Sequence, residues 1–187
     1  MAHVPMIEAS LAVVVVVDFQ EKMLGAIGTS PKDTLARRII MLLRTAQLLK
    51  MPVIYTEQYP QGLGTTDRSI IETLTGATGP LIKTTCSCWR DEGFRTALQR
   101  TEREHVILCG LETHVCIQQT ALDLLRVDYV PIVPIDAVGS RFQTDHDAAM
   151  LRMRTAGASV TTTESALFEL IERCDHPRFK DFLQIVK

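Results

Sequence analysis

Residues 105–127 read HVILCGLETHVCIQQTALDLLRV, and the rest of the chain is interpreted from this stretch. The apolar run from Val106 to Cys109 ends at Gly110, which is typical of a buried strand followed by a sharp turn. Apolar residues then recur at helical spacing after Cys116, so a helix is predicted there. Cys116 would lie in its first turn, where unpaired N–H groups and the helix dipole favour a thiolate, the form that attacks a carbonyl carbon. The alternative is a small buried hydrophobic residue, because a single cysteine without located partners is a weak motif.

Length and composition describe an ordinary globular chain. Its 187 residues are the size of one α/β domain, so a single domain spanning 1–187 is predicted. The hydrophobic fraction is 46%, the charged fraction is 22%, and the formal net charge is −2. This charge offers no general attraction for nucleic acid or an anionic membrane, so we expect neither as a partner.

The amino-terminal residues and the cysteines indicate a compartment. MAHVPMIEASLAVVVVVDFQ has no basic segment before its apolar run, and that run is too short for a signal peptide or a membrane-spanning helix. The five cysteines include one close pair, Cys86 and Cys88, whose spacing is not that of a zinc or thioredoxin motif. A cytoplasmic protein with reduced thiols is therefore expected.

Alternating strands and helices follow along the chain. The β-branched run Leu11 to Val17 predicts a central strand buried on both faces. The other predicted strands are Pro52–Thr56, Leu81–Lys83, Val106–Cys109, Tyr129–Ile135 and Ala158–Thr161. Further helices are predicted after Ser30-Pro31, around Ile70–Leu74, around Phe94–Leu98, over Thr144–Thr155, and from a Thr163 cap to Ile171. This order predicts an open, mostly parallel, six-stranded α/β sheet with helices on both faces, a Rossmann-like three-layer sandwich.

Two charged residues end predicted strands where ligands bind in open parallel sheets. Asp18 directly follows the first strand, although aspartate is also a common residue at such ends. Lys83 closes the third strand inside KTTCSCW, which is otherwise uncharged; a lysine closing a buried strand needs a carboxylate partner, and Asp18 is the candidate. No GxGxxG motif follows the first strand and no GxxxxGK[ST] occurs, so a nucleotide cofactor is unsupported and none is expected.

With Asp18, Lys83 and Cys116 in view, the chain resembles the isochorismatase-like cysteine hydrolases, which include nicotinamidases and N-carbamoylsarcosine amidohydrolase. The motifs that carry the resemblance cover nearly the whole chain: VVDFQ, TEQYPQGLG, KTTCSCW, GLETHVC, VPIDAVGSR with His146 after it, and ASVTTTESALFEL. Through TEQYPQGLG and HPRFK the chain looks most like the isochorismatase domain-containing proteins. The resemblance implies the open parallel sheet predicted above.

The resemblance also implies roles for particular residues. It assigns a catalytic triad to Asp18, Lys83 and Cys116, with Cys116 as the nucleophile. It places a cis peptide at Leu111–Glu112 and an oxyanion hole at the backbone N–H groups of Glu112 and Cys116. Family members commonly assemble, so a homo-oligomer is expected. We expect the substrate to be a small molecule in a crevice lined by Phe19, Gln20, Glu57, Gln58, Trp89 and His114.

Two departures from family patterns narrow the function. The metal-binding nicotinamidases carry an Asp-x-His element where this chain has Glu57-Gln58-Tyr59, so no metal is expected. Isochorismatase proper lacks the nucleophilic cysteine, so its reaction is less expected than acyl transfer to water. The sequence therefore predicts a cysteine hydrolase that cleaves a C–N bond of a small amide or carbamoyl compound through a thioester on Cys116. The alternatives are a non-catalytic binding or scaffold protein that keeps the fold, and a redox-responsive protein in which Cys86 or Cys88 resolves oxidised Cys116.

Overall fold

A computed structural model describes residues 6–187. Its strands are β1 (Ala12–Val17), β2 (Val53–Gln58), β3 (Thr78–Lys83), β4 (His105–Leu111), β5 (Val130–Pro134), β6 (Val138–Gly139) and β7 (Ser159–Thr161). Its helices are α1 (Glu21–Leu24), α2 (Lys32–Leu49), α3 (Pro60–Leu63), α4 (Arg68–Ile71), α5 (Glu92–Arg100), α6 (Gln118–Leu125), α7 (Gln143–Ala156), α8 (Thr163–Ile171) and α9 (Phe179–Val186). The expectation drawn from Met1 to Pro5, that no basic leader precedes the first strand, lies outside the described residues.

All strands belong to one parallel sheet. Its order is β3-β2-β1-β4-β5-β7, with β6 paired to the end of β4. The predicted open parallel α/β sheet is confirmed, and all six predicted strands are present. The strand β6 was not predicted, because its two residues are too few to produce an alternating pattern.

The central strand β1 explains why the sheet is covered on both faces. All six of its residues are buried. Successive side chains of a strand point to opposite faces. Accordingly Val14 and Val16 join a core with α2, α8 and α9, whereas Val13 and Val15 join a second core with α5 and α6. An unbroken β-branched run suits this position because neither of its faces meets water.

The last helices differ in detail from the prediction. Thr162, rather than Thr163, caps α8, because its side-chain oxygen accepts a hydrogen bond from the Ser165 N–H. The carboxyl-terminal residues form α9, which packs on α2 and α8 with Phe182 fully buried. Among residues 6–187, none of the helices is long and apolar enough to cross a membrane.

Candidate active site

Asp18 lies immediately after β1 at the carboxyl edge of the sheet. Its backbone is in the left-handed region with φ of 49°, and its side chain is completely buried. One carboxylate oxygen accepts a hydrogen bond from the Thr56 hydroxyl at 2.7 Å. The other accepts from the Lys83 ammonium at 2.6 Å. The buried carboxylate is therefore compensated by a cation and a hydroxyl, as burial of a charge requires.

Lys83 ends the edge strand β3, yet it is only 1% exposed. Besides Asp18, its Nζ lies 2.6 Å from the Gln58 side-chain oxygen and 3.8 Å from the Cys116 sulfur. Burial by itself lowers the pKa of Lys83, but the acidic groups of Cys88, Asp18 and Cys116 raise it, and the resulting pKa lies above its ordinary value. Lys83 is thus a cation at neutral pH, and the partner predicted for it, Asp18, is confirmed.

Cys116 lies in a π-helical turn, Thr113–Ile117, that leads directly into α6. It is 5% exposed. Burial raises the pKa of its thiol well above the ordinary value; Asp18 raises this pKa further, and Lys83 opposes the rise. The helix terminus and Lys83 were expected to favour the thiolate; burial and the Asp18 carboxylate oppose them. The direction of the pKa shift favours a thiol beside the Asp18–Lys83 ion pair.

The turn between β4 and Cys116 has a different backbone from the one expected. Among the described residues the cis peptide is at Gly79–Pro80, so the expected cis bond at Leu111–Glu112 is wrong. The chain turns instead because Glu112 adopts the left-handed conformation, with φ of 59° and ψ of 65°. Gly110 allows β4 to approach β1, since a Cβ on Gly110 would overlap the Val17 carbonyl oxygen.

With this geometry established, the chain can be compared with known proteins. The sequence model of the Isochorismatase domain matches residues 12–165. The chain belongs to the isochorismatase family. The resemblance seen in its motifs is thereby confirmed.

Among its family relatives, the mouse (Mus musculus) protein named isochorismatase domain-containing protein 2A is 39% identical over 178 residues, covering 91% of this chain and 80% of the relative. A structure from Caenorhabditis elegans, described as MAR1 ribonuclease, is 33% identical with a TM-score of 0.87 and covers 97% of this chain and 92% of that one. YcaC from Pseudomonas aeruginosa, solved with hexane-2,5-diol and covalent acrylamide, is 25% identical with a TM-score of 0.91, covering 99% and 93%.

The residues expected to line the crevice of this isochorismatase-family chain have varied surroundings. Gln58 contacts Lys83 directly. Gln20 is fully buried, and its side chain bonds the backbone N–H and carbonyl of Gln58. Glu57 accepts two hydrogen bonds from Thr66. Through these hydrogen bonds, Gln20 and Glu57 hold the end of β2 and the loop that follows it.

Of the other three predicted lining residues, two pack against other side chains and one is partly exposed. Phe19 is fully buried in the core with α2. The Trp89 ring lies 5.6 Å from that of Tyr129, at the amino-terminal end of β5, so packing accounts for its position. His114, two residues before Cys116, is partly exposed and its Nδ1 lies 3.1 Å from the Ser140 hydroxyl. Of the three, only His114 shares a turn with Cys116.

A polar cluster beside the turn that carries Cys116 was not found from the sequence. Arg141 donates to the Glu112 carboxylate at 3.2 Å. The Thr113 hydroxyl lies 3.1 Å from Nδ1 of buried His146, whose pKa is lowered by burial. Ser140 and Arg141 follow β6, the strand that sequence analysis missed, although the quoted VGSR motif was a signal for them. Among the described residues, His, Cys, Asp and Glu form no group of three or more that could hold a metal.

Proposed function

We propose that this isochorismatase-family chain is a cysteine hydrolase that cleaves a C–N bond of a small amide or carbamoyl compound. The observation that carries the proposal is the position of the Lys83 ammonium, 2.6 Å from the Asp18 carboxylate and 3.8 Å from the Cys116 sulfur. These three residues are a base, a cation and a nucleophile gathered at one sheet edge. That is the set required for covalent catalysis by a thiol.

The protonation states suggest how such a reaction starts. Since Cys116 rests as a thiol, its proton has to leave as the sulfur attacks, and Asp18 is the base that takes it. Lys83 stabilises the negative charge as it passes from Asp18 to the sulfur. The sulfur adds to the substrate carbonyl carbon and forms a tetrahedral intermediate.

The later steps use the same groups in reverse. In this proposal the backbone N–H groups of Glu112 and Cys116 donate to the oxyanion. Asp18 returns its proton to the nitrogen of the leaving amine as the C–N bond breaks and a thioester remains on Cys116. Water then attacks the thioester, Asp18 accepts a proton from the water, and the thiol is restored with release of the acid.

Two neighbours bear on the substrate class. The P. aeruginosa YcaC structure contains covalent acrylamide, a small amide, so small amides belong among the compounds to be tested. The C. elegans neighbour is described as a ribonuclease, so RNA belongs among the compounds to be tested.

The first experiment offers the purified protein a panel of small amides, carbamoyl compounds, esters and a single-stranded RNA. We expect hydrolysis of at least one amide or carbamoyl compound, an acyl adduct on Cys116 after acid quenching, and a loss of at least about a thousandfold in Cys116→Ala. Cys174→Ser, which changes an exposed cysteine, is the control and should keep full activity.

Other results would point elsewhere. Hydrolysis that persists in Cys116→Ala contradicts the nucleophile assignment. RNA cleavage that depends on Cys116, without amide hydrolysis, replaces the substrate class. If nothing in the panel is cleaved or forms an adduct, the binding or scaffold alternative is favoured; a disulfide from Cys116 to Cys86 or Cys88 after mild peroxide favours the redox alternative.

We also propose a homo-oligomer. Escherichia coli YcaC, which is 22% identical and shares the fold, is described as an octameric hydrolase of unknown specificity. On this chain Phe142 is 62% exposed and Leu151 is 67% exposed, an unusual exposure for large apolar side chains near one helix.

A further inference from the structure

The Lys83 ammonium has more acceptors around it than protons to give. It carries three N–H bonds. Four oxygen atoms lie within 3.4 Å of Nζ: the Asp18 carboxylate and Gln58 amide oxygens at 2.6 Å, the Thr85 carbonyl at 3.2 Å and the Cys86 carbonyl at 3.4 Å. The Cys116 sulfur, at 3.8 Å, competes with all four for a proton.

In the resting protein, the acceptors at the shortest distances from Nζ hold the hydrogen bonds of Lys83. Asp18 and Gln58 hold the two short bonds, which leaves one N–H to be shared between two carbonyl oxygens and the sulfur. Cys116 therefore receives little direct stabilisation of a thiolate from Lys83. This arrangement agrees with the raised pKa of the Cys116 thiol.

The Gln58 side chain is held in the orientation in which its amide oxygen accepts a hydrogen bond from Lys83. Gln58 is the last residue of β2 and pairs in register with Lys83, the last residue of β3. Its amide nitrogen donates to the Thr84 carbonyl at 3.1 Å, so its amide oxygen faces the ammonium. Reversing the amide would place its N–H₂ against the ammonium and its oxygen against a carbonyl, which are both repulsive contacts.

We propose that Gln58 is a positioning residue that sets the acidity of Cys116 by competing with its sulfur for the protons of Lys83. The neutral Gln58 amide accepts one hydrogen bond from Lys83 and adds no charge. Cys116 therefore stays a thiol until a substrate is bound, and Lys83 stays a cation. The inference rests on the proposed function only in taking Cys116 as the nucleophile. The side chain predicted to touch substrate thus acts through Lys83.

Two substitutions should move the acidity of Cys116 in opposite directions. Gln58→Met removes the acceptor and frees an N–H for the sulfur, so alkylation of Cys116 at neutral pH should become faster by at least about threefold. Gln58→Glu puts a second carboxylate on the ammonium and a negative charge near the sulfur, so alkylation should slow by at least about tenfold.

The measurement is the pH profile of Cys116 carbamidomethylation by iodoacetamide, followed by peptide mass spectrometry between pH 6.5 and 9.5. Labelling of exposed Cys174 in the same sample corrects for reagent and pH. Gln184→Glu, on the exposed side of α9, adds the same charge at a distance and should leave the profile unchanged. Thermal midpoints establish that each variant is folded.

Profiles within twofold of the parent, or shifts of the same sign in both variants, would overturn the proposal, because a purely structural Gln58 would not produce opposite shifts. If one variant fails to fold, the direction of the change in the Cys116 alkylation rate of the other variant still tests the proposal. Alkylation requires no turnover, so the result stands even if the parent protein hydrolyses nothing in the substrate panel.

Discussion

At the scale of single residues, the candidate site contains a buried ion pair beside a cysteine whose pKa is raised. Asp18 and Lys83 neutralise each other at 2.6 Å, and the thiol of Cys116 remains desolvated beside them. The pKa of Cys116 is raised chiefly by burial and secondly by Asp18, so more of its thiolate appears as pH rises above neutrality. Asp18 thus opposes the thiolate at rest and, in our proposal, removes its proton during attack.

Asp18→Asn separates these two effects. Removing the carboxylate charge leaves Lys83 free to stabilise the thiolate, so Cys116 alkylation at pH 7.5 should become faster by roughly tenfold, the size of about one pKa unit. Hydrolysis of any accepted amide should fall by at least about a hundredfold, because the base and the proton donor are lost. Iodoacetamide labelling and hydrolysis rates on the same preparation measure both.

In the parent protein, by contrast, the labelling rate of Cys116 should rise with pH through pH 9 without a plateau, since its pKa lies above the ordinary value. A plateau below pH 8 would mean that the thiolate is already formed at rest. Slower labelling in Asp18→Asn would show that Asp18 favours the thiolate, contrary to the expectation.

At the scale of elements, the site depends on how closely β4 approaches β1. Gly110 has φ of 124° and pairs with Val17, the residue before Asp18. One residue later the chain begins the turn through Glu112 to Cys116. Cys116 and Asp18 are therefore brought to the same sheet edge by two central strands whose ends pack backbone against backbone.

Gly110→Ala should disrupt that packing. Its Cβ would overlap the Val17 carbonyl, and its φ is one that alanine adopts only with strain, so we expect a loss of at least about 3 kcal/mol in the free energy of unfolding, or no soluble protein. Urea denaturation provides the measurement. Gly25→Ala is the matched control, because no heavy atom lies within 4 Å of its added Cβ and its φ is −65°.

The control should stay within about 0.5 kcal/mol of the parent. If Gly110→Ala also changes the free energy of unfolding by no more than this, the two central strands can separate without loss of stability. The close approach then does not determine the position of Asp18.

At the scale of the whole molecule, the carboxyl-terminal helix changes which surface is available to a partner. Leu183, Ile185 and Val186 of α9 pack partly against the core that includes α2. Phe182 makes an edge-on contact with Phe168 at 5.1 Å. Phe142, at the N-cap of α7, and Leu151, within α7, are exposed, and α7 packs on the other face of the sheet.

For the proposed homo-oligomer we therefore expect α7 to be at the interface. Sedimentation at low micromolar concentration should give a mass that is a multiple of 20.9 kDa. Leu151→Glu should shift the protein toward the monomer, because it buries a charge in an apolar contact, whereas Gln184→Glu on the exposed side of α9 should leave the mass unchanged. A monomer in the parent, or dissociation by the α9 variant alone, would contradict this expectation.

Much of the architecture could be predicted from the sequence because local patterns encode it. The β-branched run of β1 and the helical spacing after Cys116 indicate which faces are buried. Asp18, Lys83 and Cys116 could be brought together because the ends of parallel strands share one edge. The two-residue strand β6 left no such pattern, so Ser140 and Arg141 were not connected with the nucleophile turn.

Only the tertiary structure decided the state of the groups at that edge. Whether Cys116 is a thiol or a thiolate depends on its burial and on its distances to Asp18 and Lys83, and residue order does not contain those distances. The role inferred for Gln58 likewise depends on the register that places it beside Lys83. Sequence periodicity is a local property and determined the elements and their order, whereas acidity and hydrogen-bond competition act through space and were determined by the fold.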